Sequence, residues 1–151
     1  MRFLGNIEAK LDTKGRVFIP ALFRKKIAEG TLILRKDIFQ NCLVLYPEEV
    51  WNKELNELKQ RLNKWNANHQ QVFRQFVSDV EILSMDANGR ILIPRRYLQM
   101  TEIIGEVRFI GMDEKIEGWP SQVTETPFMS PDKFGAAIEE LMQEEKTTQD
   151  E

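Results

Sequence analysis

Two arginines carry the strongest chemical signal in this chain. Arg16 stands in "LDTKGRVFIP" (11–20) and Arg90 in "MDANGRILIP" (85–94). In each stretch an aspartate, Asp12 or Asp86, precedes a Gly-Arg pair, three apolar residues and a proline. A guanidinium is a planar fork that fits a phosphate or the edge of a guanine. Lys14 lies beside Arg16, and Lys10, Arg24 and Lys25 are near in sequence. An arginine just past a tight turn has two outlets. It can pair with its own turn aspartate, or it can point outward at a ligand; the residues alone leave both open. Loop tips are where binding groups concentrate, and a two-stranded β-ribbon can enter the major groove of DNA. Lys14, Arg16 and Arg90, with Lys10, Arg24 and Lys25, are therefore the candidate DNA-binding residues.

Other chemistries fit less well. Two aspartates could form a proton-sharing dyad, but an adjacent arginine favours ionisation of each instead. Asp12 and Asp86 read as turn formers, bonding backbone amides two residues on. Gly15 and Gly89 read as the positive-φ residues of the same turns. The single histidine, His69, has no cysteine or acidic neighbour at ligand spacing, so no metal site is expected. Ser78, Ser84, Ser121 and Ser130 lie in no nucleophile-elbow context, and no glycine-rich phosphate loop occurs. An enzyme is not expected, nor a cofactor or a small-molecule substrate.

The elements that hold the arginines recur. Aligning Asp12 with Asp86 gives an offset of 74 residues, and Gly15, Arg16, Ile19 and Pro20 then meet Gly89, Arg90, Ile93 and Pro94. With one extra residue in the second copy Gly30 meets Gly105, and Tyr46-Pro47 resembles Trp119-Pro120. Each copy reads as a strand (about 6–11 or 80–85), a turn, a β-branched strand ended by proline, a short helix and a second hairpin. The Asn-Gly of the second turn is a strong hairpin signal. The helices are expected over 20–29 and 94–103, stopped by Gly30 and Gly105. The segments are a first repeat at 5–49, a linking helical hairpin at 50–78, a second repeat at 79–123, and a C-terminal helix with an acidic tail at 124–151. In the linker, Trp51, Leu55, Leu58, Leu62 and Trp65 make one helical stripe, and Val72, Phe73, Phe76, Val77 and Val80 make another. Ser130-Pro131-Asp132 marks the start of the last helix, with Phe134, Ile138, Leu141 and Met142 as its apolar stripe and the final "KTTQDE" beyond it.

Charge is uneven. The net charge is −3, yet residues 1–36 hold nine basic and three acidic side chains, while 113–151 hold three basic and eleven acidic. The basic end suits an anionic partner, and the acidic end suits solvent or a protein. Cys42 is the only cysteine, so no intrachain disulfide can form, and it reads as a buried thiol. No apolar run is long enough to span a bilayer, and no signal peptide is apparent, so a cytoplasmic location is expected.

The doubled motif, with "YPEEVW" between its copies and "GWPS" after them, resembles the bacterial MraZ transcriptional regulators, which are tandem SpoVT–AbrB-type proteins. The resemblance covers about residues 1–142. It implies an α+β fold, a pseudo-twofold swapped-hairpin β-barrel with helices linking and flanking its halves. It further implies a nucleoid-associated, ring-shaped homo-oligomer that binds double-stranded DNA repeats upstream of its own operon, and represses that division and cell-wall gene cluster. Family DNA contacts map onto Lys14 and Arg16. The second copy keeps Arg90 but has Asn88 where the first has Lys14, so the family's basic pair carries over to the second turn only at Arg90. A non-DNA oligomeric scaffold on the same fold is the alternative, suggested by the acidic end and the Trp51–Trp65 stripe.

Overall fold

The computed structural model describes residues 2–27, 30–124 and 128–149. Within them the first repeat supplies β1 (Asn6–Lys10), β2 (Arg16–Phe18), α1 (Ala21–Arg24), β3 (Thr31–Lys36) and β4 (Leu43–Pro47). Two helices follow, α2 (Glu48–Arg61) and α3 (Ala67–Ser78). The second repeat supplies β5 (Val80–Ser84), β6 (Arg90–Leu92), α4 (Arg95–Thr101), β7 (Glu106–Met112) and β8 (Lys115–Pro120). A 3₁₀ turn (Ser121–Thr124) and α5 (Pro131–Gln149) complete the chain.

The strands form a six-stranded antiparallel sheet in the order β1-β7-β8-β4-β3-β5, and a separate two-stranded ribbon, β2-β6. Exchanging the repeats turns the sheet order into its own reverse, so a pseudo-twofold axis passes between β4 and β8. The same axis passes through the ribbon, where Val17 lies opposite Ile91, its own counterpart in the other repeat. The edge strands β1 and β5 do not pair with one another, so the expected barrel is open and the ribbon lies across its core.

Local reading fails at the pairing. Each Asp-x-x-Gly segment does turn the chain, with the Asp12 N–H donating to the Arg16 carbonyl at 2.9 Å and Asp86 to Arg90 at 2.8 Å. The strands on either side of a turn nevertheless separate. β1 pairs with β7 and β2 with β6, both from the other repeat. A hairpin signal specifies that the chain reverses, not which strand receives the hydrogen bonds. The exchange buries Val17, Ile19, Ile91 and Ile93 from the ribbon against Leu32, Leu34, Leu43, Leu45, Val107, Phe109 and Ile116 of the sheet in one core. Burial of a large aliphatic side chain is worth roughly 1.5–3 kcal/mol, more than a local turn preference.

The helices also depart from expectation. α1 stops at Arg24, after which the Lys26 and Ile27 amides bond to carbonyls three residues back, and Ile27 enters the core. α4 stops at Thr101, with Glu102 in the left-handed conformation at φ 59°. Gly30 and Gly105 are not helix stops. Their carbonyls accept from the Met85 and Leu11 amides, tying each loop to the other repeat's first strand. In the linker Trp51 is buried and stacks on Phe76 at 5.2 Å, over Ile33, Val44 and Tyr46. Trp65 lies beyond the end of α2 and is 85% exposed, so the stripe ends at Leu62. His69 is occupied structurally, its Nδ1 accepting from the Asn63 amide at 2.9 Å. Cys42 is buried just ahead of β4, and burial pushes its thiol up to about 12. Ser130 caps α5, which runs past the expected end to Gln149 and leaves Phe134, Ile138, Leu141 and Met142 exposed.

Candidate nucleic-acid interface

Each turn is a hydrogen-bonded cup around its aspartate. Asp12 Oδ1 accepts from the Lys14 and Arg16 amides, both at 2.9 Å, and Asp12 Oδ2 accepts from Arg16 Nε at 2.7 Å. Asp86 repeats this with the Asn88 and Arg90 amides at 2.9 Å and with Arg90 Nε at 3.0 Å. These donors stabilise the ionised carboxylate. The Arg16 backbone N–H, ahead of its guanidinium and the Lys14 amide, holds Asp12 down to about 2, and the Arg90 amide likewise holds Asp86 low. Both arginines therefore pair with their own turns. The pairing uses Nε and leaves the two Nη groups without a hydrogen bond to any described residue. Such exposed pairs add little stability. Their consequence is position: the Nε contact holds each half-exposed guanidinium beside its own turn, with its Nη groups left for a phosphate or a guanine.

The exchange of strands joins both turns to one ribbon. The Ile19 amide donates to the Gly89 carbonyl at 2.9 Å, and the Ile93 amide to the Gly15 carbonyl at 3.0 Å. The turns thus sit at opposite ends of the β2-β6 ribbon, separated by about 13 Å at the usual rise of a strand. Each turn also meets the short helix of the other repeat. A cleft of about 100 Å³ at the first turn is lined by Lys14, Gly15, Ile93, Arg95 and Leu98. At the second turn a cleft of about 360 Å³ is lined by Arg24, Lys25, Asp86, Asn88 and Gly89. Arg24 Nη1 donates to the Asn88 carbonyl at 3.0 Å.

The candidate residues separate accordingly. Lys14, Arg16 and Arg90 share the ribbon and its turns, and Arg24 and Lys25 join them at the second turn, 64 residues away from Asn88 in the case of Arg24. Lys10 does not join them. It lies on edge strand β1 opposite Glu106. Much of the remaining basic charge of residues 1–36 is also committed elsewhere. Arg35 is buried against Phe76 and Trp51, Lys26 donates to the Arg2 carbonyl, and Lys36 holds the Asp37 and Gln40 carbonyls. Two features escaped sequence reasoning. Arg95 stands at the first turn, and its place after the repeated proline, where the first copy has Ala21, was the available signal. Phe18 and Leu92 face outward on the ribbon, as strand alternation beside buried Val17 and Ile91 requires. Among the described residues no cluster of His, Cys, Asp and Glu could hold a metal ion, and no helix is long and apolar enough to cross a membrane.

Comparison with known proteins places this arrangement. A family model described as "MraZ protein, putative antitoxin-like" matches residues 2–74 and 77–126. A Transcriptional regulator MraZ from Bacteroides fragilis is 68% identical over 98% of this chain and 96% of its own length. One from Bacteroides thetaiotaomicron is 64% identical over 96% of this chain and 95% of its own. The protein of the same name from Clostridium acetobutylicum is 34% identical over 80% and 82%. The doubled Asp-x-x-Gly-Arg turn and its exchanged ribbon are thus those of a member of the MraZ family, to which this chain belongs.

Proposed function

We propose that this protein is a transcriptional regulator that binds double-stranded DNA in a sequence-specific way through the β2-β6 ribbon and its two turns. Its target is a set of repeats upstream of its own operon, a division and cell-wall gene cluster that it represses. The supporting observation is the convergence of Lys14, Arg16, Arg90, Arg24 and Lys25 around one ribbon, with both arginine forks preset by their aspartates. Lys14, Arg24 and Lys25 supply phosphate contacts, which position the protein, and Arg16 and Arg90 reach base edges, which specify sequence. A single three-residue ribbon gives a small contact. A ring homo-oligomer multiplies it along spaced repeats, so effective concentration supplies the affinity. The protein then acts in the cytoplasm at the nucleoid.

Footprinting of the purified protein on the DNA just upstream of its gene tests this reading. A protected tandem repeat is expected, and an unprotected fragment would overturn it. The scaffold alternative draws on the exposed apolar stripe of α5. It predicts a partner complex indifferent to salt, whereas phosphate contacts weaken steeply as salt rises.

A further inference from the structure

The outward face of the ribbon holds four side chains. Arg16 lies opposite Leu92, and Phe18 lies opposite Arg90. Their inward neighbours Val17 and Ile91 are buried, so alternation sends all four away from the core. Phe18 and Leu92 are 53% and 52% exposed. The Arg90 guanidinium lies 5.8 Å from the centre of the Phe18 ring. Each end of the ribbon therefore presents one donor fork and one bare apolar group. Neither apolar side chain is needed inside, since the core is filled by the opposite face.

We infer that Phe18 and Leu92 are base-contacting residues that read the C5-methyl group of thymine in the major groove, beside the bases met by Arg16 and Arg90. This inference rests on the DNA-binding reading above. The thymine methyl is the apolar feature of the major-groove edge, and phenylalanine and aliphatic groups are suited to it. Guanine offers the O6 and N7 acceptors that an arginine fork takes. One fork and one apolar group at each end of a twofold ribbon complement a guanine beside a thymine at each end of the contacted steps. Strands about 4.8 Å apart fit a groove about 12 Å wide.

The test is fluorescence anisotropy with a duplex from immediately upstream of the gene, synthesised with thymine or with uracil in its place. Uracil removes the methyl group and leaves every hydrogen-bonding group intact. The wild type is expected to bind the uracil duplex about fourfold more weakly per methyl contact. A Phe18→Ala, Leu92→Ala double variant is expected to bind the thymine duplex more weakly and not to distinguish the two duplexes. Circular dichroism melting checks its fold, and the single Leu92→Ala variant makes the same comparison if the double variant is unfolded. Equal binding of both duplexes by the wild type overturns this inference alone, as does full discrimination by a folded variant. Failure of the wild type to bind either duplex overturns the DNA reading and this inference with it.

Discussion

At the first turn Asp12 accepts from Lys14, Arg16 and the Arg16 side chain; at the second Asp86 accepts from Asn88, Arg90 and the Arg90 side chain, with distances matching within 0.3 Å. The cups agree because they use only the aspartate, two amides and the arginine. What stands around them differs. The first has Leu98 and Arg95 from the second repeat, and the second has Arg24 and Lys25 from the first. The missing lysine at position 88 is thus offset by a cation delivered from the other repeat through strand exchange. Charge at a turn is set by the whole fold, while the shape of the turn is local.

The largest expected contrast lies in stability. Gly15 has φ +91°, and a Cβ there would sit 2.8 Å from the Ile93 carbonyl oxygen, inside the ribbon ladder. Gly89 has φ +86°, but a Cβ there meets the movable end of Arg24. In urea denaturation Gly15→Ala should cost about 2–3 kcal/mol and Gly89→Ala about 1 kcal/mol. Equal losses would break the contrast. Next come the forks: Arg16→Ala and Arg90→Ala should each weaken binding to the upstream duplex by about 1–3 kcal/mol, measured by gel shift. An effect from one alone would confine recognition to one end of the ribbon. Arg24→Ala should act more mildly and lower the dependence of log affinity on log salt by about 1, as for one phosphate contact. Adding Asn88→Lys to Arg24→Ala should restore that slope.

The smallest effect concerns pH. A carboxyl held low when folded adds stability above its unfolded value and loses that stability as pH falls through the folded value. For Asp12 that window runs from 3.8 down to about 2, and Asp86 shifts in the same direction. Neither turn should titrate near neutrality. Carboxyl carbon shifts in an NMR titration should give an Asp12 midpoint near 2, and a midpoint near 3.8 would mean that the cup is open.

The strand positions and the polar turns were legible because each depends on residues a few places apart, and the repeat because both copies keep the same short motif. Asp12, Gly15 and Arg16 declare their cup within five residues. Strand exchange was not legible from local pattern, because β2 would satisfy the same hairpin signal beside β1 as beside β6. The family resemblance supplied the swap that the turn chemistry could not. The short α1 and the meeting of Arg24 with Asn88 depend on contacts across the axis, so nearness of Arg24 to the first motif in sequence did not show that it stands at the second turn. Lys10 shows the same limit: it precedes the turn by two residues in sequence, yet it lies on edge strand β1 opposite Glu106.

Under the proposed function, one ribbon carries the DNA-facing groups of both repeats. The most direct test of this is binding of the upstream duplex by wild type, Arg16→Ala, Arg90→Ala and the double variant across a salt series. Affinity should fall steeply with salt, drop roughly 5–150-fold in each single variant, and drop further in the double variant. Affinity that ignores salt, or is unchanged in the double variant, would contradict it.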